Sequence, residues 1–211
     1  MDLNNYNEAI ILYDESLKID PNDTVVLRNK GNALYDLKKY EEAIVCYDNT
    51  LKIKPNYTDA LYNKGLALYD LKKYEEAIVC FNKVLKIEPN DTDALVKKGI
   101  TLNDLEKYVG AMVCFDSALE IDPNDTDVLF LKGGVLYSLE KYEESIVWFD
   151  KALKIDPKYS DALNSKGLTL LDLKEYDKAM VCYDKVLEID PNDKNCIECR
   201  QLVVDAVKLD K

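Results

Sequence analysis

Apolar residues along the chain keep two alternating helical registers. In the stretch 58–91, Leu61, Gly65, Leu68 and Leu71 are spaced by four, three and three, which puts them on one stripe of a helix. After the polar pair Lys72 and Lys73 a second stripe begins, made of Tyr74, Ala77, Ile78, Phe81, Val84 and Leu85. Neither helix can bury its stripe alone, so the two must pack on each other and on their neighbours. The rest of the chain can be laid against this stretch without a gap. Pro21, Pro55, Pro89, Pro123, Pro157 and Pro191 are each thirty-four residues apart, and so are Gly31, Gly65, Gly99, Gly133 and Gly167. A fixed period of this length predicts an all-α solenoid of stacked helix pairs.

In this register, residues 1–23 are the second half of a unit. Tyr6, Ala9, Ile10, Tyr13, Leu17, Ile19 and Pro21 fall where Tyr74, Ala77, Ile78, Phe81, Leu85, Ile87 and Pro89 do. Five full repeats are expected at 24–57, 58–91, 92–125, 126–159 and 160–193, all in one continuous domain. Residues 194–211 restart the pattern as a first helix and are expected to cap the array, with Ile197, Val203, Val204 and Val207 inward and Glu198, Gln201, Asp205 and Lys208 outward. The expected count is twelve helices. The half repeat at the start is expected to fray over 1–5, to belong to a longer protein, or to be completed head to tail by the last helix of another copy.

Three residue types make the helix pairing physically reasonable. Glycine inside a helix costs about 1 kcal/mol against alanine, so its return in five repeats predicts a bulky neighbour that needs the space. Ala43, Ala77, Ala111, Ser145 and Ala179 supply the matching small residues on the second helices. The prolines disfavour helix at the preceding residue and end each second helix. Thr24, Thr58, Thr92, Thr126 and Ser160 are expected to cap the helices that follow.

With these residues in place, the chain resembles the tetratricopeptide repeat family. The family pattern is matched in the second full repeat by Leu61, Gly65, Tyr69, Ala77, Phe81, Val84 and Pro89. Two departures stand out. Leucine takes the place of a large residue that is often tryptophan, and the usually apolar residue before glycine is Lys30, Lys64, Lys98, Lys132 or Lys166, whose stem can still cover apolar surface. The resemblance implies a right-handed superhelical solenoid of antiparallel helix pairs; neither catalysis nor a cofactor is expected.

Composition narrows the partners. Lys and Arg total 28 against 40 Asp and Glu, a net charge of −12, so phosphate backbones and anionic membranes are disfavoured as ligands. No apolar run approaches the length of a membrane span, and the first five residues lack the character of a signal peptide, so a cytoplasmic location is expected. Cys46, Cys80, Cys114 and Cys182 occupy one equivalent position, taken by Trp148 in the remaining full repeat. Stacked repeats hold equivalent sites beyond disulfide reach, and these thiols read as small apolar side chains in a reducing compartment.

Catalytic chemistry finds little support. The chain has no histidine, which removes the commonest general base and metal ligand. Cys196-Ile-Glu-Cys199 is a lone pair of thiols without the second pair that zinc would want. The repeated Tyr-Glu-Glu at Tyr40, Tyr74 and Tyr142 opens second helices, where negative charge suits the dipole.

The candidate function lies on the first helices, which in the family line a concave groove. Carried over, the groove positions are Val25, Arg28, Asn32, Tyr35 and Asp36; Asp59, Tyr62, Leu66, Tyr69 and Asp70; Asp93, Val96, Ile100, Asn103 and Asp104; Asp127, Phe130, Gly134, Tyr137 and Ser138; and Asp161, Asn164, Leu168, Leu171 and Asp172. Eight aspartates, five aromatics and one cation make up much of this set. The aspartates at 59, 93, 127 and 161 suit a first helical turn. Asp36, Asp70, Asp104 and Asp172 sit near a helix C-terminus, where the dipole disfavours them. The expected partner is therefore a basic or amphipathic peptide or helix. A competing expectation comes from relatives that clamp acidic C-terminal tails. Arg28, Asn32, Asn63 and Lys97 match that clamp, but Asp93 stands where it has a lysine. An interaction arm of a larger protein is a further possibility that the half repeat raises.

Overall fold

The computed structural model describes residues 3–209, so Met1, Asp2, Asp210 and Lys211 lie outside the described residues, together with part of the fraying expected of 1–5. Among the described residues there are twelve α-helices and no strand. They are α1 (Leu3–Ile19), α2 (Thr24–Asp36), α3 (Tyr40–Ile53), α4 (Thr58–Asp70), α5 (Tyr74–Ile87), α6 (Thr92–Asp104), α7 (Tyr108–Ile121), α8 (Thr126–Ser138), α9 (Tyr142–Ile155), α10 (Ser160–Asp172), α11 (Tyr176–Ile189) and α12 (Lys194–Leu209). They gather into two compact units, residues 1–114 and 115–211, with the boundary inside α7. In the first unit each helix from α1 to α6 packs on its neighbours in the chain, and α8 to α12 do the same in the second.

Within a pair, the glycine of the first helix receives an aromatic ring of the second. A Cβ built on Gly65 would lie 2.7 Å from Phe81 Cε1, and one on Gly31 would lie 2.5 Å from Tyr47 Cε1. In the second unit Gly133 and Gly167 meet Phe149 and Tyr183 in the same way. All four rings are fully buried. Burying such a ring is worth about 1.5–3 kcal/mol, which outweighs the glycine's helix cost of about 1 kcal/mol. Ala43, Ala77 and Ala179 have no exposed surface, and Ser145, equally buried, donates its hydroxyl to the Gly133 carbonyl at 2.8 Å.

Three expectations are corrected. Thr24, Thr58, Thr92, Thr126 and Ser160 are the first helical residues rather than the caps. Capping falls to the residue before. Asp23 accepts from the Val25 and Val26 amides at 2.9 and 3.1 Å, Asp91 from Ala94 at 2.8 Å, and Asp125 from Asp127 and Val128 at 3.0 Å. These aspartates hold an extended backbone that aims the carboxylate back at free amides, whereas Tyr57 and Tyr159 take the same place without a side-chain cap. In α12, the inward residue is Cys196, with no exposed surface, and not Ile197, which is 47% exposed. Val203, Val204 and Val207 are buried or half-buried as expected, and the first turn departs because the thiol fits against Tyr183, whose carbonyl accepts from Cys196 Sγ at 3.3 Å. The third correction concerns the lysines before glycine, which do more than cover apolar surface. Lys30, Lys64, Lys132 and Lys166 pair with Asp14, Asp48, Asp116 and Asp150 of the preceding second helix.

The turn from first to second helix has a feature the apolar pattern does not signal. Lys38, Lys72, Glu106, Glu140 and Lys174 all adopt positive φ, between 57° and 60°. The Lys39 amide donates to the Leu34 carbonyl at 2.9 Å and the Lys38 amide to Tyr35 at 2.8 Å, closing α2 in a Schellman turn. Glycine is the usual occupant of this place, so a charged residue here carries a strain of about 1 kcal/mol or more.

Candidate functional site

Local packing fixes each side chain of the candidate face before any ligand is considered. Tyr35 is the last residue but one of α2, with its ring 5.4 Å from that of Tyr40, the first residue of α3, and is half-buried there. Tyr69 with Tyr74 and Tyr137 with Tyr142 repeat the arrangement at 5.5 Å. Held this way, each hydroxyl reaches the next first helix. Tyr35 donates to Asp70 Oδ2 at 2.5 Å, Tyr69 to Asp104 Oδ2 at 2.6 Å, and Tyr137 to Asp172 Oδ2 at 2.7 Å. Burial and then the carboxylate bond hold all three phenols well above their usual range. Tyr6 on α1, in the repeat register of Tyr40, has its pKa raised by Asp36.

These contacts account for the aspartates that the helix dipole disfavours. Asp70, Asp104 and Asp172 each accept a tyrosine hydroxyl from the preceding first helix, and Asp36 influences Tyr6, so a bound cation is not required to explain them. All four remain exposed and keep acceptor capacity toward solvent.

The remaining predicted residues divide by unit. In the first, Arg28 is ion-paired with Asp59 on α4, donates to Asn29 Oδ1 at 3.1 Å, and lies over the Tyr57 ring at 5.4 Å. Asn32 Oδ1 accepts from both Asn63 Nδ2 and the Tyr47 hydroxyl at 2.9 Å. The expected clamp residues Arg28, Asn32 and Asn63 are therefore brought together, but bonded within the chain, while Lys97 is exposed on α6. Tyr62 packs its ring 5.8 Å from Phe81, and burial lifts its pKa to about 12. A shallow hollow of about 270 Å³ is lined by Asn32, Tyr35, Asp36, Asn63 and Leu66, and a smaller acidic one of about 190 Å³ by Arg28, Asp59, Tyr62, Asp91 and Asp93. In the second unit, Phe130 stacks between Phe149 and Tyr159 at 5.9 and 5.4 Å, and the Tyr159 hydroxyl donates to Asp127 at 2.7 Å. Tyr57 and Tyr159 were not predicted as site residues. Both stand two after a proline, in the loop, outside the helical register that singled out the others.

No group of metal-ligating side chains occurs among the described residues. The six cysteines are free, and burial raises the Cys196 thiol to about 11. No helix among the described residues is long and apolar enough to cross a membrane.

An array of helix pairs that presents rigid, laterally linked side chains along its first helices defines an interaction scaffold of the repeat class. The chain belongs to the tetratricopeptide repeat family. Tetratricopeptide repeat models match residues 58–91 and 160–193, residues 1–23, and, as a TPR repeat, residues 31–72 and 133–174. Comparison with curated proteins gave no match. Among solved structures, the chain is similar to YrrB, described as a TPR protein with an unusual peptide-binding site, at 24% identity over 90% of this chain and 97% of that one, with a TM-score of 0.71. MamA from Desulfovibrio magneticus RS-1, residues 41 to the end, is 25% identical over 81% of this chain and 97% of its own, with a TM-score of 0.75. A tetratricopeptide repeat protein from Parabacteroides merdae is 20% identical over 95% of this chain and 78% of its own, with a TM-score of 0.68.

Proposed function

We propose that the chain is a non-catalytic cytoplasmic adaptor that holds a basic or amphipathic peptide, or a partner helix, along the first helices within a unit. One observation carries the reading. Asp36, Asp70, Asp104 and Asp172 keep their carboxylates exposed beside half-buried aromatics, while Arg28, the one cation among the groove positions, is already paired with Asp59. A lysine or arginine side chain of a partner would meet carboxylates that the tyrosine hydroxyls have oriented, and apolar anchors would meet the rings of Tyr35, Tyr69 and Tyr137. Such a ligand needs no conformational change in the scaffold, because the hydroxyl bonds already fix the side chains.

The acidic-tail clamp is the weaker reading. A free carboxylate approaching Arg28 and Asn32 would have to displace Asp59 and the Asn63 amide and would also face Asp93. Two fluorescent peptide pools separate the readings, one basic and amphipathic, the other ending in acidic residues with a free carboxylate, each titrated at two salt concentrations. Binding of the basic pool that weakens with salt supports the proposal. Binding of the acidic pool that is lost on Arg28→Ala or Lys97→Ala refutes it.

A further inference from the structure

We propose a second docking site, on the second-helix side of the unit 115–211, which takes an acidic peptide segment with an apolar anchor residue. A groove of about 510 Å³ opens beside α9, walled by Leu119, Leu129, Trp148 and Ile155, with Lys151 and Lys154 at its rim. Trp148 is the only tryptophan in the chain and stands where four other repeats carry buried cysteines. Its indole is too large for that slot and stays half-buried, forming a wall of the groove. Two ammonium groups lie over the ring, Lys132 Nζ at 3.7 Å and Lys151 Nζ at 3.6 Å. Lys132 is almost wholly buried and already neutralised by Asp116, so the charge offered to a ligand is that of the exposed Lys151 and Lys154.

Charge identifies the occupant. In a chain of net charge −12, no aspartate or glutamate is found among the residues that line this groove, and two lysines are. An apolar floor with a cationic rim complements an apolar side chain flanked by carboxylates. The groove is open, and Ile155 in its wall is 44% exposed, so apolar surface is left for a ligand to cover. A small molecule is ordinarily enclosed over most of its surface, which this groove does not provide. A peptide can lay an apolar side chain in the groove and its carboxylates along the lysine rim. The site is opposite in charge preference to the first-helix face and does not depend on it.

The single tryptophan supplies the readout. Intact protein is titrated with a short synthetic peptide carrying a leucine pair flanked by aspartates, and with the same peptide carrying lysines instead, while Trp148 emission is followed. The aspartate peptide is expected to shift the emission saturably and to bind about tenfold more weakly to Lys151→Glu/Lys154→Glu, whose changes fall on exposed side chains. Loss of peptide anisotropy change with Trp148→Cys, the residue natural to this slot, supports the same site. An equal response to the lysine peptide, unchanged affinity in the double lysine variant, or a response to decanoate with none to either peptide overturns the proposal.

Discussion

The Tyr69 hydroxyl on α4 donates to Asp104 on α6 at 2.6 Å, across the seam between two successive first helices. Tyrosine and aspartate each come from the C-terminal end of their own helix, one residue apart in the repeat register. Replacing Tyr69 with phenylalanine keeps the ring against Tyr74 and removes only the hydroxyl. A loss of about 1 kcal/mol is expected from the urea midpoint, with a coupling of similar size in the double-mutant cycle with Asp104→Ala.

Alkaline pH is expected to destabilise the fold through the same tyrosines. Folding raises the pKa of Tyr35, Tyr69 and Tyr137, by burial first and by their aspartates second. Unfolded tyrosine loses its proton near pH 10, while the folded phenols keep theirs, so the unfolded chain binds fewer protons and stability falls as pH rises above about 10. Below that value the contribution is fully present. Urea midpoints measured between pH 8 and 11 should show the fall, and the triple phenylalanine variant a shallower one, since Tyr47 and Tyr183 are also raised by burial.

Two neighbouring glycines in α8 should respond in opposite directions to alanine. A Cβ on Gly133 would lie 2.6 Å from Cε1 of the fully buried Phe149, whereas one on Gly134 meets nothing within 4 Å. Gly133→Ala is expected to cost about 2 kcal/mol through overpacking, and Gly134→Ala to gain up to about 1 kcal/mol from helix propensity. Thermal unfolding of the two variants checks the contrast.

Lys98 occupies the register of Lys64 and Lys166 but stands opposite Asn82, where the other rungs have aspartate. Asn82→Asp should complete the missing rung and add about 0.5 kcal/mol at low salt, fading as ionic strength rises. Chemical denaturation at two salt concentrations measures it.

The helix pairs were legible because their determinants repeat. Proline and glycine recur in register, and Leu61, Leu68, Ala77 and Phe81 are buried where the stripes place them. What escaped depends on contacts between repeats. Asp70 and Asp104 looked misplaced because the dipole is a property of one helix, while the hydroxyls that justify them come from another. Arg28 looked like a free cation for the same reason, its partner Asp59 lying 31 residues on. The positive φ at Lys72 leaves no mark in composition, since a lysine and not a glycine takes the left-handed place of the Schellman turn. The cap moved from threonine to aspartate because the apolar stripe fixes a helix's buried face and not which residue is its first.

In the proposed function the exposed carboxylates of Asp70 and Asp104 bind a basic segment while also tying first helices together, and the two roles can be separated by substitution. Tyr35→Phe/Tyr69→Phe removes the tie and keeps both charges; Asp70→Asn/Asp104→Asn removes the charges. The decisive measurement is the affinity of a basic amphipathic peptide for each variant at low salt. The proposed function entails a modest change with the phenylalanines and a loss of about tenfold or more with the asparagines. Equal affinity for the asparagine variant and the unaltered protein would contradict it.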